Sequence, residues 1–229
     1  MPVSVKVCGI TNLHDAECAT EYGAAYLGLI FVSSSPRCVS AAALEELVKW
    51  QTNKPIKLVG VFKDPSSDEV RHAIINAKLA MVQLHGRESV EFCQSIGLPL
   101  IKTIEICPGA ADALESLRQQ IALYAPVAQY LLFDKPKEAG SAKSVDGAGW
   151  MSSAIDLIKQ VGPIPVPYFF AGGLNADNLS DVVAQLEPFG VDVASGIESR
   201  PGTKDLEKMQ AFLHCALRQN EASSGGIRS

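Results

Sequence analysis

The chain has 229 residues, enough for one α/β barrel or for two smaller domains, and its 47% hydrophobic and 20% charged residues describe a globular protein with a sizeable core. A net charge of −5 without any run of Lys or Arg leaves no electrostatic footprint for nucleic acid or an anionic membrane, so a small molecule is the expected partner. Six scattered cysteines, with no C-x-x-C pair and no His at metal-ligand spacing, read as reduced thiols in a cytoplasmic protein and argue against a disulfide framework or a cysteine-based metal site.

Lys6 arrives too early for an apolar signal core, and the longest apolar run, 24–32, is well short of the ~18 residues of a membrane span. Short apolar runs with strand propensity recur at 3–7, 26–31, 57–62, 80–84, 100–103, 130–133, 168–171 and 191–194. Most do not alternate, as expected of strands covered on both faces. Amphipathic helical patterns follow them at 12–22, 40–50, 67–78, 89–96, 111–124, 151–161, 177–186 and 205–217. In the second of these, Ala43, Leu44, Leu47 and Val48 make the apolar stripe, while Glu45, Glu46 and Lys49 face water. Ser40, the capping box Ser66-x-x-Glu69 and either Asn175 or Asp177 mark helix starts. Eight strand–helix alternations predict a single-domain (β/α)8 TIM barrel over 1–218, followed by a polar, flexible tail over 219–229. A doubly wound open sheet is the alternative, but no dinucleotide-binding glycine fingerprint follows the first strand.

In such a barrel, function collects behind the carboxyl ends of the strands, where this chain gathers its polar and glycine residues. Cys8 ends the first strand. Lys6, two residues earlier, points to the same face, and its ammonium would favour a thiolate able to act as base or nucleophile. Cys8 could also be a small buried hydrophobe, and Lys6 could equally serve a phosphate or a carboxylate. Arg37, after Pro36, is either a planar fork for a carboxylate or a solvated loop residue. His85 is a ligand contact or a hydrogen-bonded core histidine. Asp134 closes the run Tyr130-Leu-Leu-Phe-Asp134. It is a candidate proton donor if partly dry, or else the cap of the loop that follows. Gly172-Gly173 and Ser195-Gly196, behind the seventh and eighth strands, present bare backbone N–H groups suited to a phosphate, although each pair alone could simply make a tight turn.

Taken in order, Lys6-Val-Cys8-Gly-Ile-Thr11, Ser35-Pro-Arg37, Val59-Gly-Val-Phe62, Val82-Gln-Leu-His-Gly86, Phe133-Asp134, Ala171-Gly-Gly-Leu174 and Val191-Asp-Val-Ala-Ser-Gly-Ile-Glu198, followed by Pro201-Gly-x-Lys-Asp205, resemble the phosphoribosylanthranilate isomerase family over about 3–217. The resemblance implies a small barrel enzyme of tryptophan biosynthesis that needs no cofactor and no metal. It implies the Amadori rearrangement of N-(5′-phosphoribosyl)anthranilate to 1-(2-carboxyphenylamino)-1-deoxyribulose 5-phosphate. Asp134 would then be the general acid at the ring oxygen and Cys8 the general base at C2′. Arg37 would meet the anthranilate carboxylate, the glycine turns the phosphate, and Gln83, His85 and Asp192 would line the pocket. A barrel of this size works as a monomer or a homodimer. The chain departs from the family's G-G-[ST]-G loop at Ala139-Gly140-Ser141-Ala142-Lys143, where two glycines have become alanine, and it carries Ala194 where a serine is usual. The first departure bears on loop closure, because a Cβ at φ > 0 costs on the order of 1 kcal/mol. Two other functions also fit the residues: a related sugar-phosphate isomerase or epimerase of broader specificity, and a non-catalytic phosphate-ligand-binding barrel.

Overall fold

The computed structural model describes residues 2–52, 54–136 and 147–224. The chain alternates β1 (Ser4–Cys8), α1 (Leu13–Glu21), β2 (Tyr26–Ile30), α2 (Ala41–Gln51), β3 (Lys57–Phe62), α3 (Ser67–Ala77), β4 (Met81–Leu84), α4 (Val90–Ser95), β5 (Leu100–Glu105), α5 (Ala113–Tyr124), β6 (Tyr130–Asp134), α6 (Gly147–Val161), β7 (Tyr168–Phe170), α7 (Leu179–Leu186) and β8 (Gly190–Val193). A short hairpin of β9 (Glu198–Arg200) and β10 (Thr203–Lys204) then leads into α8 (Leu206–Ser224). The first eight strands pair in parallel in sequence order, and β8 pairs with β1 to close a (β/α)8 barrel. Among the described residues, no helix is long and apolar enough to cross a membrane.

Local chemistry accounts for several boundaries. Ser40 Oγ accepts the amide of Ala43, and Ser66 and Glu69 form the reciprocal capping box that satisfies two orphan N–H groups of α3. Several boundaries differ from the sequence expectation. α6 begins at Gly147, four residues early. Asn175 does not cap a helix directly. Its Oδ1 accepts the amides of Asp177 and Asn178 in a turn, and α7 starts only at Leu179. The boundary expected at 218 falls inside α8, which runs to Ser224. Gln219 anchors that extra length by donating from Nε2 to Ser180 Oγ at 2.9 Å on the neighbouring α7.

Two apolar layers follow from the period-2 alternation of the strands. Outward residues such as Val5, Val7, Leu27, Leu58, Val82, Leu131, Phe133 and Val191 pack against the helices in the main core. Each such fully buried side chain contributes ~1.5–3 kcal/mol of hydrophobic stabilisation. Inward residues at the amino-terminal end of the strands, including Tyr26, Val59, Met81, Ile101, Leu132 and Phe169, plug the barrel floor. Moving up the same inward rows, the chemistry turns polar, through Lys6, Gln83, Thr103 and Asp192 to Cys8, Glu105 and Asp134 at the carboxyl ends. The barrel interior is thus dry below and reactive above.

Candidate active site

Cys8 is the last residue of β1 and packs with Ile30 and Val61 just below the mouth of the barrel. Lys6 lies one inward step beneath it and is fully buried, its Nζ 2.9 Å from Asp192 Oδ1 on β8. Register explains the meeting, because Lys6 and Asp192 are direct partners in the β1–β8 ladder. Burial opposes the charge on Lys6, but Asp192 and the sulfur of Cys8 outweigh it and raise its pKa to about 12. Lys6 and Asp192 were both read as pocket contacts. The structure pairs the two with each other beneath the thiol, and the ammonium is fully buried. Room for this arrangement comes from Gly28, the β2 partner of Cys8. A Cβ on Gly28 would lie 2.8 Å from Cys8 Sγ and 3.0 Å from Lys6 Nζ. Sequence reasoning passed over Gly28, although a glycine inside an apolar strand run is itself a signal of close approach.

Asp134 ends β6 and is 9% exposed. Its Oδ1 accepts the amide of Lys135 at 2.7 Å, so the capping role is present, while Oδ2 sits 3.7 Å from His85 Nε2. Glu105, the register partner of Asp134 on β5, lies 3.6 Å from the same nitrogen. His85 Nε2 is buried without a hydrogen-bond partner among the described residues, as is Gln83 Oε1, whose Nε2 donates to Thr103. Two buried polar atoms thus face the barrel interior without a hydrogen bond from the described residues. A cleft of about 520 Å³ opens beside them, lined by His85, Thr103, Glu105 and Tyr124 among others.

The two candidate phosphate turns touch each other. Gly172 and Gly173 take φ of +97° and +80°, conformations that favour glycine, and a Cβ on Gly196 would overlap the carbonyl oxygen of Leu174. Ser195 opens a 3-10 turn directly behind β8. Trp150 wedges against Gly172 and donates from Nε1 to the Ile106 carbonyl at 2.9 Å, which holds the β7–α7 turn against its neighbours. Gly140 and Ser141 lie outside the described residues.

Arg37 reaches the mouth, with 23% of its side chain exposed, but it is not a solitary clamp. Its Nε and Nη2 grip the carboxylate of Glu198 at 2.9 and 2.7 Å. Burial alone would raise the Glu198 pKa, but Arg37 and Lys204 outweigh it and hold it below the usual carboxylate range. Neither Glu198 nor Lys204 was assigned a role from sequence.

Among known proteins, the model of the N-(5'phosphoribosyl)anthranilate (PRA) isomerase family matches residues 5–215 of this chain. The N-(5'-phosphoribosyl)anthranilate isomerase of Maridesulfovibrio salexigens is 37% identical over 211 residues, covering 92% of this chain and 97% of the relative. Among solved structures, the phosphoribosyl anthranilate isomerase of Thermus thermophilus superposes with a TM-score of 0.76 at 30% identity, covering 95% of this chain and 100% of that one. A phosphoribosyl anthranilate isomerase in complex with reduced 1-(o-carboxyphenylamino)-1-deoxyribulose 5-phosphate superposes with a TM-score of 0.73 at 27% identity, covering 94% and 99%.

Proposed function

The chain belongs to the N-(5'-phosphoribosyl)anthranilate isomerase family and is an isomerase of tryptophan biosynthesis, and from that premise we propose that Cys8 and Asp134 are its proton-transfer pair. The observation that carries this assignment is positional. Cys8 and Asp134 each end a strand at the same rim of the barrel, and β7 and β8, whose turns carry the glycines, lie between those two strands in the closed order. A sugar phosphate anchored at Gly172, Gly173, Ser195 and Gly196 would therefore have the thiol on one flank and the carboxyl on the other.

In the reaction, Asp134 donates a proton to the furanose ring oxygen as the C1′–O bond breaks, leaving an iminium between C1′ and the anthranilate nitrogen. Cys8, its sulfur beside the Lys6 ammonium, takes the proton from C2′. The enolamine that results gains a proton at C1′ and loses the one on O2′, which yields the ketone. Glu105 and Asp134 flank the same imidazole nitrogen of His85, at 3.6 and 3.7 Å. His85 and Gln83 supply the unmatched polar atoms for sugar hydroxyls. Arg37 takes the anthranilate carboxylate with the edge of its fork that Glu198 leaves open. Every group in this scheme comes from one chain, so a monomer or a homodimer would carry it, and the cytoplasm is the proposed compartment.

The test is the loss of anthranilate-type substrate fluorescence on turnover. Cys8→Ala and Asp134→Asn should each slow kcat by ~10²-fold or more while retaining affinity for the reduced product analogue. Undiminished turnover in both variants would remove the assignment.

A further inference from the structure

The segment from Glu198 to Lys204 takes no part in the proton transfers, yet it is among the most heavily bonded parts of the barrel mouth. The β9–β10 hairpin buries two charged side chains, Glu198 at 8% and Lys204 at 4% exposure. Glu198 accepts Arg37 Nε and Nη2, Lys204 Nζ at 3.1 Å and the Gly202 amide at 3.4 Å. Lys204 Nζ spends its other hydrogens on the carbonyl of Cys8 at 2.6 Å and that of Ala194 at 3.4 Å. One ammonium thus ties together the strand end that carries the thiol, the turn that precedes Ser195 and the carboxylate that grips Arg37. The hairpin tip is seated as closely. Thr11 Oγ1 donates to the Gly202 carbonyl at 2.5 Å, and a Cβ on Gly202, at φ +81°, would come within 2.8 Å of the Pro36 carbonyl, next door to Arg37.

A guanidinium has five N–H donors in a planar fork. Glu198 occupies the side formed by Nε and Nη2, and Nη1 makes no hydrogen bond to a described residue. The end of the fork, Nη1 with the second hydrogen of Nη2, is therefore held at a set angle toward the mouth, ready for a second carboxylate to bind through both oxygens.

The geometry points to Glu198 as a positioning residue that sets specificity. It orients Arg37 so that the enzyme selects ligands bearing an aromatic carboxylate, with Lys204 as the counter-charge that locks Glu198 to the base and to the phosphate turn. This inference rests on the reading of Arg37 as the carboxylate clamp. The structural alternative is that the hairpin only stabilises the fold, in which case its loss weakens all ligands alike.

The experiment compares two probes, reduced 1-(o-carboxyphenylamino)-1-deoxyribulose 5-phosphate and the same molecule without its carboxyl group, by calorimetry on the full chain. The wild-type protein should bind the carboxylated probe more tightly. Glu198→Gln should cut that preference by about tenfold or more, the scale of one well-oriented charge-assisted hydrogen bond, while leaving affinity for the descarboxy probe nearly unchanged. Because Glu198→Gln strands the Lys204 ammonium, the charge-balanced variant Glu198→Gln/Lys204→Met is measured beside it and should show the same loss of preference. KM for the substrate should rise more than kcat falls. If the variants keep the wild-type preference, or lose affinity for both probes equally, the inference is overturned while the Arg37 reading stands. If the wild-type protein shows no preference, the Arg37 reading fails and this inference goes with it.

Discussion

Replacing Gly28 with alanine sets a methyl group against the sulfur of Cys8. The glycine has no left-handed φ to lose, so the effect is steric rather than a backbone penalty. The added Cβ would sit 2.8 Å from Sγ, 3.0 Å from Lys6 Nζ and 3.1 Å from Cys8 Cα, whereas ordinary contact begins near 3.4 Å. Something must move by up to 0.6 Å. The Cα is held by pairing with β2, and Nζ is pinned 2.9 Å from Asp192, so the thiol rotor gives way first. Overpacking of this kind costs ~1–3 kcal/mol of stability. Misplacing a proton-transfer group by a fraction of an ångström to 1 Å lowers kcat by ~10–10²-fold. The assay is turnover by substrate fluorescence together with urea unfolding, and affinity for the reduced product analogue should hold because the phosphate turns and Arg37 are untouched. In a Cys8→Ala background the methyl falls into space vacated by the sulfur, so Gly28→Ala should slow turnover no further and destabilise less, a non-additive cycle. Gly28→Ala with wild-type kcat and wild-type unfolding would refute the claim that this void seats the base.

Two other outcomes follow from the same geometry. Lys6→Met leaves Asp192 buried without its partner and should destabilise the protein by ~3–5 kcal/mol at neutral pH. Since the folded pKa of Lys6 is raised to about 12 from 10.5, its stabilising contribution is whole below 10.5 and is lost as pH climbs through 12. Urea midpoints of wild-type and variant should accordingly converge above pH 10.5, and a gap that stays constant would contradict the pairing. Gly172→Ala meets Trp150 at 2.6 Å and the Lys135 amide at 3.0 Å at a φ of +97°. It should weaken binding of inorganic phosphate and of the product analogue together, at a stability cost of ~1–3 kcal/mol, and unchanged phosphate affinity would remove the turn from the anion site.

What the sequence by itself determined is whatever depends on neighbours along the chain. Unbroken apolar runs marked all eight barrel strands because a strand covered on both faces needs no polar alternation. Ser66 and Glu69 announced a helix start because both members of the capping box sit within one turn. Cys8, Asp134 and the glycine turns could be picked out because a residue at the end of a strand in this fold must stand at the mouth. Local signals do not reach the contact that holds Gln219, whose partner Ser180 belongs to another helix.

Only the tertiary structure decided who meets whom. Lys6 finds Asp192 186 positions away, Arg37 finds Glu198 161 away, and Lys204 finds the carbonyl of Cys8 196 away. These pairs exist because closing the sheet lays β8 against β1, and no spacing in the chain encodes that contact. The same closure turned Arg37 from an open clamp into one held by Glu198, while the pairing of β2 with β1 turned Gly28 into the space that the thiol occupies. Charge pairs and voids are properties of surfaces brought together, so they become visible only when the barrel has shut.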